Sequence, residues 1–102
     1  MNNRLKLHEK LVELIGNDNV YFQPPASVKM TYPCVVYNVV AGNAKYANDS
    51  LYSYTHRYDV TFIYKKPNID IIEQVLITLP HSSINRSYCV ENLNHYVFSV
   101  YY

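Results

Sequence analysis

The sequence predicts an α+β fold, in which a mainly antiparallel sheet is flanked by two helices in the order α-β-β-β-α-β-β. Two stretches repeat their apolar residues with helical spacing, and several others alternate apolar and polar residues as strands do. Turn residues between the later strands indicate antiparallel hairpins. With 102 residues, of which 49% are hydrophobic, the chain is expected to form one domain, residues 1–102.

The first helix is predicted to begin at Asn2 or Asn3, whose side chains can cap free N–H groups, and to end at Gly16. Its apolar side chains recur on one face: Leu7, Leu11, Leu14 and Ile15. A short strand then covers residues 20–23, and Pro24-Pro25 ends it.

A long hairpin is predicted to follow. Residues 34–40 are apolar on both faces except at Asn38, which is typical of a central strand covered on both sides. Small and polar residues at 41–50 predict a long connection. The next strand, Leu51 to Tyr64, alternates a mostly aromatic or β-branched face with a mostly polar one.

This third strand is too long for the body of such a domain. Its 14 residues reach about 46 Å at ~3.3 Å each, whereas a domain of this size is about 34 Å across. The strand must bend, break at a bulge or leave the body. We expect it to project as an arm at its Leu51 end.

The second helix is predicted to be capped by Asn68 and ended by Pro80. Its buried stripe is predicted to contain Ile71 or Ile72, Val75, Leu76 and Leu79. Two strands follow, residues 83–90 and 95–102, joined by a tight turn at residues 91–94. The first of them alternates Ile84, Arg86, Tyr88 and Val90 with more polar residues.

Composition limits the classes of partner. The formal net charge of +1 provides no electrostatic footprint for nucleic acid or an acidic membrane. No apolar run approaches the roughly 18–20 residues of a membrane span, and no signal peptide is apparent. Cys34 and Cys89 are too few for a disulfide scaffold, so we expect reduced thiols packed in strands and folding in a cytoplasm.

The residue pattern argues against an enzyme. With two glycines, Gly16 and Gly42, the chain cannot contain a Walker loop, a dinucleotide fingerprint or the glycine-bearing RNA-binding motif. Its histidines and cysteines lack the spacing of metal ligands; His8 is expected on the helix surface and His56 in the core. His81 lies beside two serines but lacks a third orienting group. We predict no catalytic residue, no metal and no cofactor.

Tyrosine is the most unusual feature of the composition. The chain has 12 tyrosines, three phenylalanines and no tryptophan. Tyrosine suits surfaces that a partner buries while leaving their edge wet. Tyr52, Tyr54 and Tyr58 could instead fill the core of the monomer, but two helices and a modest sheet cannot easily bury 12 such rings. We therefore expect a neighbouring subunit to bury some of them.

Arg57 and Asp59 share the polar face of the long strand. They are candidates for cross-strand or intersubunit ion pairs; the alternative is an exposed pair that contributes at most ~1 kcal/mol. The predicted subunit-interface residues are the tip of the hairpin and this pair: Asn43, Lys45, Tyr46, Asn48, Asp49, Tyr52, Tyr54, Arg57 and Asp59.

Four stretches have a familiar pattern: residues 19–25 (NVYFQPP), 30–37 (MTYPCVVY), 55–61 (THRYDVT) and 92–102 (NLNHYVFSVYY). Together they resemble the tail terminator proteins of long-tailed bacteriophages, also called tail-completion or tail-to-head joining proteins. The resemblance covers nearly the whole chain. It rests on pattern and order, without a catalytic signature, so it transfers no site residue.

The resemblance implies an α/β fold and a homo-oligomeric ring, expected to be a hexamer, on the head-proximal end of a tail tube. Such a ring ends tube polymerisation and docks a neck or head-closure protein, and the genome DNA passes through its lumen without sequence-specific binding. It implies a virion protein, assembled in the cytoplasm of the host bacterium, without a membrane partner. The lumens of such rings are often acidic, whereas this chain is charge-balanced. The resemblance therefore does not identify which surface of the chain faces DNA. In such a ring, we expect the hairpin of Val35 to Tyr64 to contact the next subunit.

Two other functions are open. The first is another neck component, such as a head-closure or adaptor protein, which would bind portal-side partners and not the tail tube. The second is a non-viral module that stacks single-stranded nucleic acid on its tyrosines. That module would bind in a salt-sensitive way, which the charge balance disfavours.

Overall fold

The structure, a computed structural model, describes residues 3–25, 27, 29–47 and 50–102, with side chains described for residues 4–25, 27, 29–40 and 57–102. Its elements are α1 (Asn3–Ile15), β1 (Val20–Phe22), β2 (Cys34–Ala47), β3 (Ser50–Tyr64), α2 (Asp70–Thr78), β4 (Ser82–Val90) and β5 (Leu93–Tyr101). This is the predicted α+β order. Neither helix is long and apolar enough to cross a membrane in the described part of the chain.

The five strands form one sheet in the order β1-β2-β3-β5-β4. β1 runs parallel to β2, and every other neighbouring pair is antiparallel. β3 and β4 are therefore parallel, joined through α2, with β5 inserted between them. This arrangement leaves β1 and β4 as the two edges of the sheet.

The two faces of the sheet differ. We call one the helix face, because its side chains pack with both helices; it includes Val35, Tyr37, Val60, Phe62 and Phe98. We call the other the open face; by strand alternation it includes Asn38, Arg57, Asp59, Ser99 and Tyr101. The core lies between the helix face and the apolar stripes of the helices, which comprise Leu7, Leu11, Ile15, Ile71, Val75 and Leu79. Each such side chain contributes about 1.5–3 kcal/mol on burial.

The end of α1 is as predicted. Gly16 has a positive φ of 81°, and its N–H donates to the carbonyl of Val12 at 2.9 Å. Glycine adopts this left-handed conformation without the steric cost that a Cβ would add. The predicted capping by Asn2 or Asn3 lies outside the described side chains.

The start of α2 differs from the prediction. The N-cap residue is Ile69, and no side chain caps the helix. Asn68 contributes its backbone, since its carbonyl accepts a hydrogen bond from the N–H of Ile71 at 3.3 Å. Leu76, placed in the buried stripe by its spacing, is 37% exposed, and Ile77 is 72% exposed.

The hairpin turns also differ from expectation. Residues 41–47, predicted as part of a loop, continue β2 and pair with β3. The turn between β4 and β5 is shorter than predicted: Glu91 and Asn92 both have positive φ, 52° and 65°, as a two-residue type I′ turn requires. A bulge between Ile84 and Arg86 moves Ile84 to the helix face, whereas Arg86 and Tyr88 lie on the open face.

Candidate subunit-interface site

β2 and β3 extend beyond the sheet as a two-stranded ribbon. We call the ribbon formed by Ala41–Ala47 and Ser50–His56 the arm. β1 pairs with β2 only at residues 35–37, and β5 pairs with β3 only from Arg57 onward. Within the described residues, the arm therefore has no third strand. Its seven residues per strand span about 23 Å, and the molecule measures 52 × 30 × 22 Å, in agreement with the predicted projection.

Five of the predicted interface residues lie on the backbone of the arm: Asn43, Lys45, Tyr46, Tyr52 and Tyr54. The two strands bring them into one ribbon, with Tyr54 opposite Ala44. A register shift leaves Tyr52 without a directly opposite residue. Asn48 and Asp49 lie outside the described residues. An interface role depends on their side chains, which lie outside those described. The role of these five residues therefore stays a prediction.

Arg57 and Asp59 lie at the base of the arm, where β3 enters the sheet. Asp59 lies between Asn38 and Ser99 of the neighbouring strands, so no opposite charge faces it across the sheet. Among the described residues, the Nε atom of Arg57 and the Oδ1 atom of Asp59 are buried without a hydrogen-bond partner. A buried polar group without a partner costs about 1–3 kcal/mol. Both side chains are half-buried, so a change of rotamer would let an approaching molecule supply the missing hydrogen bonds.

Two tyrosines of the open face are exposed. Tyr88 is 39% exposed and Tyr101 is 37% exposed. The Tyr88 ring stacks on His95, with centroids 4.7 Å apart and planes 6° from parallel. The guanidinium of Arg86 lies 5.4 Å from the centroid of the Tyr88 ring, and Tyr101 lies opposite Arg57. Large aromatic surface therefore lies on the same face as the unpaired polar atoms.

Other tyrosines belong to the core of the monomer. Tyr37, Tyr58 and Tyr96 are buried on the helix face, so for Tyr58 the core-filling alternative is correct. The Tyr37 hydroxyl lies 2.8 Å from Nδ1 of His8 and accepts from Arg4 at 3.4 Å. His8 is thus half-buried against the sheet and not on the free surface of α1, as its position suggested. Burial raises the pKa of Tyr37 and of Tyr58.

The titratable and nucleophilic groups are dispersed. Cys34 is buried, which raises the pKa of its thiol to about 11, and Cys89 is exposed on β4; both are free thiols. Cys89 is thus in a strand, as predicted, but is not packed. His81 lies exposed before β4, and the His56 side chain lies outside those described. Among the described residues, no three His, Cys, Asp or Glu side chains come together.

Sequence reasoning did not single out the edge strand β4. Eight of its nine residues are exposed, although Ile84, Tyr88 and Val90 carry large apolar groups. The alternation of its residues predicts a strand but not its position at an edge, since edge position depends on where β5 inserts. The bulge beside Asn85 has no signal in the sequence that we could identify.

Comparison with known protein families finds none that matches this chain, and comparison with curated proteins finds no match either.

Proposed function

We propose that the chain is a structural virion protein that forms a ring, expected to be a hexamer, at the head-proximal end of a phage tail tube. There it ends polymerisation of the tube and docks a neck or head-closure protein, while the genome DNA passes through the lumen. The resemblance to tail terminator proteins supplies this identity. The observation that carries the proposal is the arm, because it extends past the body of its own chain.

An arm of this kind is poorly explained within a monomer. A two-stranded ribbon is at best marginally stable alone in water. The outer edges of both arm strands have unpaired backbone groups within the described residues, and such edges favour pairing with another chain. A ring is built from a heterologous contact, in which one patch of a subunit meets a different patch of the next. The arm would provide one of the two patches.

The base of the arm supports the same proposal. Arg57 and Asp59 place one buried donor atom and one buried acceptor atom, both without a partner, on the open face. Both side chains are only half-buried, so after a change of rotamer a neighbouring subunit that covers this face could supply hydrogen bonds to both. Hydrogen bonds to charged groups contribute about 1.5–3 kcal/mol each, so even one would make ring formation more favourable.

Deletion of Asn43–Asp49 tests the proposal. The residues left between Gly42 and His56, which pair with each other, are enough to close a short connection. The described core cluster lies in the two helices and the body of the sheet, so we expect the variant to fold as a monomer with the unfolding temperature of the wild type. Light scattering and electron microscopy should show closed rings for the wild type and none for the variant.

The tube itself provides the second readout. Wild-type protein, added to the polymerising tail tube protein of the same virus, should shorten the tubes and decorate one end, whereas the deletion variant should do neither. As a control, Lys66→Ser, a change at an exposed residue beyond the opposite end of β3, should act as the wild type. Normal rings from the deletion variant, or tubes of unchanged length with the wild type, would refute the proposal. Binding to portal-side proteins, without effect on tubes, would assign the chain to another neck component.

A further inference from the structure

The outer edge of β4 is the longest free edge in the body of the molecule. β4 has nine residues and pairs only with β5, so its outer side carries no strand within the described residues. The opposite edge strand, β1, has only three residues. A long strand from another molecule can therefore extend the body of the sheet at β4 and not at β1.

β4 lacks most of the features that protect an edge strand. Protected edges commonly carry lysine or proline, or are very short, and β4 has neither residue and is nine residues long. Its large exposed apolar side chains lie on both faces: Ile84 on the helix face, and Tyr88 and Val90 on the open face. A long edge strand with exposed apolar side chains is a template for pairing with another chain. Two protective features are present, the charged side chain of Arg86 and the bulge after Ile84, but the bulge leaves residues 86–90 regular.

The same chain carries a strand that fits this edge. Each strand of the arm offers seven residues, enough to pair with the regular part of β4. The arm and β4 lie on different parts of the molecule, because β5 separates β4 from β3. A contact between the arm of one copy and β4 of another is therefore heterologous, the type of contact that can close into a ring.

We propose that the outer edge of β4 accepts a strand of the arm from a second copy of this chain, so that the sheet continues from one subunit into the next. Main-chain hydrogen bonds provide the affinity in such strand addition, and the side chains beside them provide the specificity. This inference rests on the proposed function in one respect, because both proposals place the arm in the contact between subunits of the ring. It adds the identity of the acceptor.

Antiparallel geometry identifies the backbone groups that would bind. Because a two-residue turn joins β4 to β5, Val90 and Leu93 form the hydrogen-bonded pair next to it. Inward and outward groups then alternate along the strand, so Ser87 and Cys89 direct their N–H and C=O groups away from β5. These residues are exposed, and they are the predicted hydrogen-bonding positions of the acceptor.

Ser87→Pro tests the acceptor, with Ser87→Ala as its matched control. Both changes remove the same exposed hydroxyl, but only proline removes the outward N–H, and proline is tolerated on edge strands. Both variants should unfold near the wild-type temperature. Ser87→Pro should require about tenfold or more higher concentration to assemble, since each main-chain hydrogen bond lost weakens the contact. Assembly of Ser87→Pro at the wild-type concentration would overturn the inference.

Cross-linking provides a test that does not depend on how proline is accommodated. Cys89 is an exposed thiol on β4, and Cys34 is buried, so one added cysteine creates a defined pair. Ala44→Cys and Ser53→Cys place a thiol on each strand of the arm, and Glu73→Cys places one on the exposed surface of α2. A short bismaleimide should link chains into a ladder with an arm cysteine and not with Glu73→Cys. Equal ladders from all three variants, or none from the arm variants, would overturn the inference.

The two proposals fail in different ways. If Ser87→Pro forms normal rings that still shorten tail tubes, the acceptor is wrong and the proposed function stands. If the arm-cysteine variants form arm-to-β4 cross-links but the wild type leaves tail tubes unchanged, the acceptor is right and the proposed function is wrong. If the arm-cysteine variants yield no cross-link and the wild type also leaves tail tubes unchanged, both are wrong.

Discussion

Replacement of Asp59 by asparagine should stabilise the isolated chain while it weakens assembly. The Oδ1 atom of Asp59 is buried and has no hydrogen-bond partner among the described residues, and the residues opposite it, Asn38 and Ser99, are neutral. An unpaired buried polar group costs about 1–3 kcal/mol, and more if it is charged. Asp59→Asn keeps the shape and removes the charge. We therefore expect about 1 kcal/mol of added stability, which raises Tm by about 4–8 °C in a domain of this size.

Assembly should respond in the opposite direction. If the next subunit supplies a donor to Asp59, loss of its charge reduces a hydrogen bond of about 1.5–3 kcal/mol to one of about 0.5–1.5 kcal/mol. A loss of about 1.4 kcal/mol per contact is a tenfold loss of affinity. Thermal unfolding at a dilution where the chain is monomeric measures the first effect, and sedimentation velocity measures the second. Glu73→Gln makes the same chemical change on the exposed surface of α2 and should alter neither.

One result would refute this reasoning. A lower Tm for dilute Asp59→Asn, with Glu73→Gln unchanged, would show that the carboxylate has a stabilising partner within its own chain. The unpaired atom at the base of the arm would then not be available to a neighbouring subunit. A higher Tm with unchanged assembly would show that the unpaired carboxylate destabilises the monomer, but that Asp59 is not part of the subunit contact.

Three further predictions concern the core. Tyr37→Phe should lower the free energy of unfolding by about 1–2 kcal/mol, because the hydroxyl loses its hydrogen bond to His8; urea unfolding at fixed protein concentration measures this. Tyr88→Phe, at an exposed ring, should stay within ~0.5 kcal/mol, and equal losses from the two variants would contradict the assigned role of Tyr37. In the native chain, a thiol reagent should modify Cys89 quickly and Cys34 only on unfolding, whereas rapid reaction of both would contradict the burial of Cys34. Folding raises the pKa of Cys34 from 9.0 to about 11, so this contribution to stability is complete below pH 9.0 and is lost as the pH rises through about 11, by at most about 2–3 kcal/mol. Burial raises the pKa of Tyr37 as well, so its contribution to stability is also lost at alkaline pH. Unfolding measured across this alkaline range checks the sign, and a Cys34→Ala variant with the same pH dependence as the wild type would show that Cys34 contributes nothing to it.

Much of the fold could be predicted from local pattern. The alternation of the third strand put Tyr58, Val60 and Phe62 on one side, and all three are buried on the helix face. The spacing of Leu7 and Leu11 identified the buried stripe of α1 in the same way. These predictions succeed because the free energy of burying a side chain acts on whichever face the backbone geometry presents.

Local pattern failed where pairing with a distant strand decides the outcome. Residues 41–47 are small and polar, yet they form a strand because β3 lies beside them. Strand propensity is weak and depends on cross-strand neighbours, so composition alone could not predict this. The prediction for Leu76 was wrong for a related reason. Its spacing fits a buried stripe, but its side chain is 37% exposed, because α2 packs against the sheet through Ile71 and Val75.

The candidate site divides in the same way. The sequence by itself determined that one strand is too long for the body and that Arg57 and Asp59 share a face with polar neighbours. Only the tertiary structure decided that neither of them faces an opposite charge across the sheet, and that β4 is a free edge. The physical reason is that the order of strands depends on hydrogen bonds between segments far apart in the chain. The insertion of β5 between β3 and β4 sets which backbone groups are paired and which remain free for another molecule.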